Sequence, residues 1–203
     1  FSIFQLYFLA LFLIKLINSL LNKCMFEPLI FSVFLFANTI PDGSLLYIEN
    51  GNKTVQRYTE SSITHVAIII NIDNEPWLYE ADKPKVRKIK LSDYYNEVEK
   101  HNKKKKEKDK WKVWIAFPKL NISEKSKKKL KEYLDSQIGR KYSVNSYLYE
   151  EVGEGIHCCE LVGNALKLIG INYTDSSHTD SPIQVWNKTA KFYEKPISEN
   201  NQE

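Results

Sequence analysis

Between residues 41 and 117, apolar residues occur in short runs that are separated by turn signals. Within each run they either alternate with polar residues or are mostly β-branched and aromatic, which is typical of β-strands. Turn signals stand at Pro41-Asp42-Gly43, Asn50-Gly51-Asn52 and Asp73-Asn74. The pattern predicts strands over residues 44–49, 65–72, 76–81, 86–91 and 111–117, and a helix-free connection after Asn52. The second and third of these strands are predicted to form a hairpin.

Beyond residue 118 the spacing of apolar residues becomes helical. One predicted helix runs from Ser123 to Ile138 and stops at Gly139. Its apolar side chains share one face: Leu130, Tyr133, Leu134 and Ile138. A second helix is predicted over residues 157–169 and is closed by Gly170, and the chain after it is rich in loops. An antiparallel sheet followed by helices that pack on it is an α+β fold.

The first forty residues are much more apolar than the rest of the chain. Residues 1–21 are close to the roughly 20 residues that a membrane-spanning helix needs. A shorter apolar run over residues 29–37 follows Met25 and fits the central region of a secretory signal peptide, which makes Met25 a candidate start. We expect four parts: an apolar upstream segment (1–24), a signal peptide or anchor (25–40), a folded domain (41–190) and a polar tail (191–203). The protein is therefore predicted to be secreted or membrane-anchored.

Composition limits the domain count and the class of partner. The chain has 203 residues, of which 43% are hydrophobic and 27% charged, and this suits one globular domain beside the apolar segment. The formal net charge is +4, and the lysines cluster in residues 103–110 and 125–131. No aromatic residue interrupts the first cluster, so it lacks the stacking platform of proteins that bind single strands. We expect no nucleic-acid partner, while weak, salt-dependent attraction to anionic surfaces stays open.

Three residues in different predicted elements have the chemistry of a thiol-based catalytic site. A thiol nucleophile needs a lowered pKa, a basic or imidazolium partner, and hydrogen-bond donors for the oxyanion that it creates. Cys158 lies in the first turn of the second predicted helix, where the helix dipole and the unpaired N–H groups favour a thiolate. His65 begins the second strand and Glu80 lies on the strand that returns beside it, so Glu80 can orient the His65 ring.

Each of these residues also has a structural interpretation. Cysteines such as Cys158 and Cys159 are more often buried packing residues, and neighbouring cysteines fit disulfide geometry poorly, so we predict free thiols. His65 and Glu80 are also compatible with a structural histidine and a surface charge. His157 is a rival partner for Cys158, but neighbouring residues of a helix point about 100° apart. A metal site made of His157, Cys158 and Cys159 would lack the spacings of common zinc sites, so we predict neither a metal nor a cofactor.

Four segments of the chain together resemble one family of enzymes. They are Thr64-His65-Val66-Ala67-Ile68-Ile69, Tyr79-Glu80-Ala81, Gly139-Arg140-Lys141-Tyr142 and Cys158-Cys159-Glu160-Leu161-Val162. These segments resemble the circularly permuted papain-like amidases of the NlpC/P60 superfamily, the YaeF/YiiX group that is also called peptidase family C92. The usual cysteine motif of that family is Cys-Ser-Glu-Leu-Val, so Cys159 stands where serine is usual.

The resemblance implies a circularly permuted papain-like fold, in which the histidine strand precedes the cysteine helix. It assigns the nucleophile to Cys158, the general base to His65 and the orienting residue to Glu80. The expected activity is hydrolysis of an amide bond through a thioester, with a peptide or an acyl amide as the substrate. Two alternatives stay open: a membrane-associated acyltransferase or thiol phospholipase of the lecithin:retinol-acyltransferase-like type, and an inactive membrane-associated binding module.

Overall fold

The structure, a computed structural model, describes residues 40–149 and 153–198 of the chain. The upstream segment 1–24 and, apart from Ile40, the predicted signal peptide or anchor lie outside these residues. Both therefore stay predictions, and so does the location that they imply. Within the described part of the chain, no helix is both long and apolar enough to cross a membrane.

A six-stranded antiparallel sheet forms the centre of the fold. Its strands are β1 (Ser44–Glu49), β2 (Ile63–Ile72), β3 (Glu75–Asp82), β4 (Lys85–Lys90), β5 (Lys112–Ala116) and β6 (Ile197–Ser198). Across the sheet the order is β4-β3-β2-β1-β5-β6. β2 and β3 form the predicted hairpin, in which Ile68 pairs with Tyr79. The five strands that the sequence predicts are all present.

Six α-helices connect or cover these strands within the described residues. They are α1 (Lys53–Thr59), α2 (Leu91–Asn102), α3 (Glu124–Gln137), α4 (Asn145–Tyr149), α5 (Cys158–Leu168) and α6 (Pro182–Thr189). The helices predicted from apolar spacing are α3 and α5. Ser123 caps α3 as expected, because its Oγ accepts a hydrogen bond from the N–H of Ser126 at 3.2 Å. The α+β prediction is confirmed, with a sheet that helices cover.

The prediction of a helix-free connection after Asn52 is wrong, because α1 lies there. The Oδ1 of Asn52 accepts hydrogen bonds from the N–H groups of Thr54 at 2.9 Å and Val55 at 3.2 Å, and this caps the helix. No residue of α1 is buried. A helix without a buried face does not need apolar residues at helical spacing, so the sequence pattern did not predict it.

The sequence analysis also missed α2, since it placed Leu91 at the end of a strand and left the following residues without structure. The helix buries Leu91, Tyr94 and Val98, which fall at helical spacing on one face. Only these three anchor it among charged residues, so the apolar signal was weak. Helices are thus not confined to the second half of the chain.

The predicted polar tail from residue 191 is partly integrated into the fold. Tyr193 is buried and its hydroxyl donates a hydrogen bond to the carbonyl of Gly43 at 2.9 Å. Ile197 pairs with Ile115 of β5. These elements are short and lack a periodic apolar pattern, which explains why the sequence indicated only loops after Asn172.

Helices cover both faces of the sheet. The side chains of β1 alternate between two hydrophobic clusters, with Tyr47 in one and Leu46 in the other. The first cluster includes buried residues of α3, α5 and α6, and the second includes those of α2. Burial of each large side chain contributes roughly 1.5–3 kcal/mol. Cys158 and Cys159 belong to the first cluster, so the N-terminus of α5 is packed firmly against the sheet.

Gly163 allows α5 to approach the segment Ser177–Thr179, a 3₁₀ turn. A Cβ at position 163 would lie 2.3 Å from the Cβ of Ser177 and 2.7 Å from the hydroxyl of Tyr173. We expect Gly163→Ala to lower the free energy of unfolding by about 1–3 kcal/mol, because overpacking outweighs the better helix propensity of alanine. Chemical denaturation measures this loss. Gly153→Ala is the control, since a Cβ there meets nothing within 4 Å; equal effects of the two changes would contradict the prediction.

Candidate active site

Cys158 is the first residue of α5, and the backbone there is arranged to receive negative charge. His157 is the N-cap residue and is extended, with φ −109° and ψ 172°. The hydrogen bond from the N–H of Leu161 to the carbonyl of His157, at 3.0 Å, closes the first turn. The N–H groups of Cys158 and Cys159 precede it and have no acceptor within the helix. The thiol of Cys158, a residue only 6% exposed, thus lies at the positive end of the helix dipole.

The hairpin of β2 and β3 brings His65 and Glu80 together, as the sequence pattern predicts. The Nε2 of His65 lies 2.7 Å from the Oε2 of Glu80. Glu80 is almost fully buried, while a small part of the His65 side chain is exposed. A buried carboxylate on one ring nitrogen fixes the orientation of a histidine and stabilises its protonated form.

Cys158 and His65 interact, and each shifts the pKa of the other. The pKa of Cys158 lies well below its ordinary value because hydrogen bonds from Cys159, His157 and His65 outweigh the effect of burial. Burial alone would lower the pKa of His65. Its hydrogen bonds to Cys158 and Glu80 outweigh this effect and raise that pKa well above its ordinary value. The favoured state of the pair is therefore a thiolate beside an imidazolium.

Cys159 has the opposite protonation state to its neighbour. Burial raises the pKa of Cys159, and the negative charge of Cys158 raises it further. Its Sγ lies 3.8 Å from the Sγ of Cys158, and both thiols are free. With Cys158 as the thiolate, Cys159 can donate its S–H to it. The surroundings thus distinguish the two adjacent cysteines, because they lower the pKa of Cys158 and raise that of Cys159.

His157 contacts Cys158 more closely than the sequence analysis predicted. It is buried, its pKa is raised in part by Cys158, and its Nε2 lies 2.8 Å from the carbonyl oxygen of His178. The angle between neighbouring helical residues, which the sequence analysis used to discount His157, does not apply to an extended N-cap residue. One donor atom each from His157, Cys158 and Cys159 lie within 4.8 Å of one another. These three residues, here called the Cys/His cluster, are candidate ligands for a metal ion.

Arg87 belongs to the site and was missed by the sequence analysis. It pairs with Glu80 across β3 and β4, and its Nε donates to the Oε1 of Glu80 at 2.6 Å. Both carboxylate oxygens of Glu80 are thus occupied, one by His65 and one by Arg87. Burial would raise the pKa of Glu80, but the hydrogen bond to His65 and the charge of Arg87 lower it overall. The turn between β3 and β4 sets this pairing. The register of that hairpin could therefore have predicted from the sequence that Arg87 lies beside Glu80.

Arg87 also forms a bidentate ion pair with Glu97 of α2, at 3.0 and 2.7 Å. We expect Arg87→Met to lower the free energy of unfolding by about 1–3 kcal/mol, because it leaves a buried oxygen of Glu80 without a partner. The matched control is Glu97→Gln, which removes only the exposed pair and should cost less than about 1 kcal/mol. Chemical denaturation of both variants measures the difference. A loss for Glu97→Gln as large as that for Arg87→Met would show that the buried pair has no special role.

Comparison with known proteins gives a family and a fold. Residues 39–193 match the model of a family described as permuted papain-like amidase enzymes, YaeF/YiiX, family C92. Among solved structures, the metalloprotein yiiX from Escherichia coli O157:H7 is similar with a TM-score of 0.52 and 15% sequence identity, over 75% of this chain and 82% of that one. At this identity the likeness concerns the fold alone. No curated protein matches the chain. Since the family match spans most of the residues, the chain belongs to the permuted papain-like amidases of the YaeF/YiiX type.

Proposed function

We propose that this protein is a cysteine hydrolase that cleaves an amide bond in a peptide or an acyl amide. Cys158 is the nucleophile, His65 transfers the proton and Glu80 orients His65. One observation supports this assignment above the others: the thiol at the start of α5 meets a histidine whose ring is held by a buried carboxylate at 2.7 Å. This combination supplies the partner, the orienting group and the helix N-terminus that thiol catalysis needs.

The reaction follows from the protonation states of the two residues. The thiolate of Cys158 attacks the carbonyl carbon, and the oxyanion that forms accepts hydrogen bonds from N–H groups of the first turn of α5. The imidazolium of His65 then donates its proton to the leaving nitrogen, the C–N bond breaks and a thioester remains. Neutral His65 next takes a proton from water, whose hydroxide attacks the thioester. The acid is released and Cys158 becomes a thiolate again.

The similar solved structure is described as that of a metalloprotein, so the residues of this chain that suit a metal bear on the mechanism. Within the described residues, the group found to suit a metal ion is the Cys/His cluster. Its two thiols and imidazole fit a thiophilic ion such as zinc. This donor set contains the proposed nucleophile, so an ion held there would coordinate Cys158. No step of the proposed hydrolysis therefore passes through a metal.

A trapping experiment tests this function. The purified protein, kept with a chelator, is incubated with synthetic peptide amides and N-acyl amides and then quenched in acid for intact-mass analysis. We expect a mass increase equal to the acyl group, located on the peptide that contains Cys158, together with release of the free acid. If the acyl group is transferred to an added amine in preference to water, the protein is an acyltransferase and not a hydrolase. Neither an adduct nor turnover on any substrate would reject the enzyme and favour a binding module.

A further inference from the structure

We propose that the Cys/His cluster binds one zinc ion through two thiolates and one imidazole, and that the ion switches the site off by occupying Cys158. The binding depends only on the geometry of His157, Cys158 and Cys159. The inactivation rests in addition on the proposed function of Cys158 as the nucleophile.

The separation of the two sulfur atoms matches the edge of a zinc tetrahedron. With Zn–S bonds of about 2.3 Å and a Zn–N bond of about 2.0 Å, tetrahedral angles place two sulfurs about 3.8 Å apart and a sulfur and a nitrogen about 3.5 Å apart. The Sγ atoms of Cys158 and Cys159 are 3.8 Å apart. The donor atoms of the whole cluster lie within 4.8 Å of one another. The sulfur pair thus needs no movement, and His157 has only a short approach to make.

A hydrogen bond determines which nitrogen of the His157 ring is free to bind a metal. Its Nε2 donates a proton to the carbonyl oxygen of His178 at 2.8 Å. In the neutral ring the lone pair is then on Nδ1, the remaining nitrogen. Histidines that bind metals usually donate their other ring N–H to a carbonyl or carboxylate in this way, and that contact fixes the tautomer. Ser177, which hydrogen-bonds to Asn164 of α5 at 3.0 Å, anchors the turn that carries the His178 carbonyl.

The donor types favour zinc over hard cations. Two thiolates and an imidazole suit Zn²⁺, whereas Ca²⁺ and Mg²⁺ require oxygen ligands. All three residues of the cluster are buried, so the ion is held in a partly dry site. On binding, the thiol proton of Cys159 and the Nδ1 proton of a protonated His157 pass to solvent, and the charge of the ion balances the two thiolates. Three protein ligands leave the fourth position of the tetrahedron for a water molecule.

The bound ion would block the reaction directly. The lone pair with which Cys158 attacks a carbonyl would instead form the bond to zinc. Activity then falls with free zinc by mass action and returns when a chelator removes the ion. His65 is not a ligand in this arrangement, so metal binding and proton transfer depend on different residues.

Competition with a chromophoric zinc chelator tests the binding without any substrate. We expect the parent protein to withdraw one zinc ion per chain. His157→Asn, Cys158→Ser and Cys159→Ser should each weaken the affinity by at least about 100-fold. Glu97→Gln, which changes an exposed side chain outside the cluster, is the control and should bind zinc with an affinity close to that of the parent. All five proteins keep Cys24, so any contribution from that residue is constant.

Two results would overturn the site: a parent protein that does not compete with the chelator, or a Cys159→Ser variant that binds zinc as tightly as the parent. Cobalt substitution supplies a second readout, because thiolate-to-cobalt charge-transfer absorbance should fall when either cysteine is replaced. Circular dichroism checks that each variant is folded. Serine at position 159 is the usual residue of the family motif, so we expect that variant to fold.

Measuring the inhibition of turnover by zinc tests the metal site separately from the proposed hydrolysis. In a protein that hydrolyses amides, zinc should abolish turnover, and Cys159→Ser should require at least about 100-fold more zinc for half inhibition. Turnover without zinc binding would reject the metal site and leave the hydrolase standing. Zinc binding without turnover on any substrate would support the metal site and reject the hydrolase.

Discussion

Replacement of Cys158 by alanine should lower kcat/KM for an amide substrate by a factor on the order of 10⁴ or more, and it should abolish the acyl-enzyme adduct. The reason is the position of this thiol. It lies at the N-terminus of α5 beside His65, and its pKa is held well below its ordinary value by Cys159, His157 and His65. Alanine removes the thiol that forms the thioester in the proposed mechanism. Steady-state kinetics in the presence of a chelator, together with intact-mass analysis, measure both effects.

Cys159→Ser is the matched control for this experiment, because it changes the neighbouring thiol and keeps a hydrogen-bond donor for the thiolate. We expect it to lose far less activity than Cys158→Ala and to keep the adduct. The opposite result, an adduct that disappears with Cys159→Ser and persists in Cys158→Ala, would move the nucleophile to Cys159. Because the two side chains are neighbours in one helix, both variants change the same part of the structure, and a difference in activity reports the roles of the two thiols.

The contact between His65 and Glu80 was predictable from sequence because a hairpin is a local structure. The turn at Asp73-Asn74 sets the register of β2 against β3. Strands whose side chains alternate place such pairs on one face. The same reasoning, applied to the next hairpin, would have paired Arg87 with Glu80. Where a short turn fixes the register, the residues of the site follow from the pattern.

The approach of Cys158 to His65 is a different kind of contact. These residues are far apart in the chain and meet only because α5 packs across the sheet. No local pattern sets the direction of a helix relative to a sheet, so only the family resemblance assigned the pair. His157 was named as a rival partner for Cys158 but discounted, for a related reason. Its contact with Cys158 depends on the extended backbone of one N-cap residue, which the helical pattern on its C-terminal side does not determine.

His65→Ala should lower kcat/KM by about 10²- to 10⁴-fold, which is the usual contribution of a positioned general acid and base. Loss of the imidazolium also removes a hydrogen bond and a positive charge from the thiolate of Cys158, so the pKa of that thiol should rise. The rate of alkylation by iodoacetamide follows the thiolate fraction. The alkylation rate falls as the pH is lowered through the pKa of the thiol. Because that pKa is higher in the variant, the fall should begin at a higher pH in the variant than in the parent. Rate measurements across pH with a chelator present report the shift.

His157→Asn is the control that separates proton transfer from electrostatic support. His157 also hydrogen-bonds to Cys158, so its removal should raise the pKa of the thiol too. It is not held by Glu80, however, and the proposed proton transfer does not use it. We therefore expect a shift of the alkylation profile in both variants, but the larger loss of kcat/KM in His65→Ala. Equal losses would mean that His157 shares the proton transfer, and a His65→Ala variant with unchanged kcat/KM would remove His65 from the mechanism.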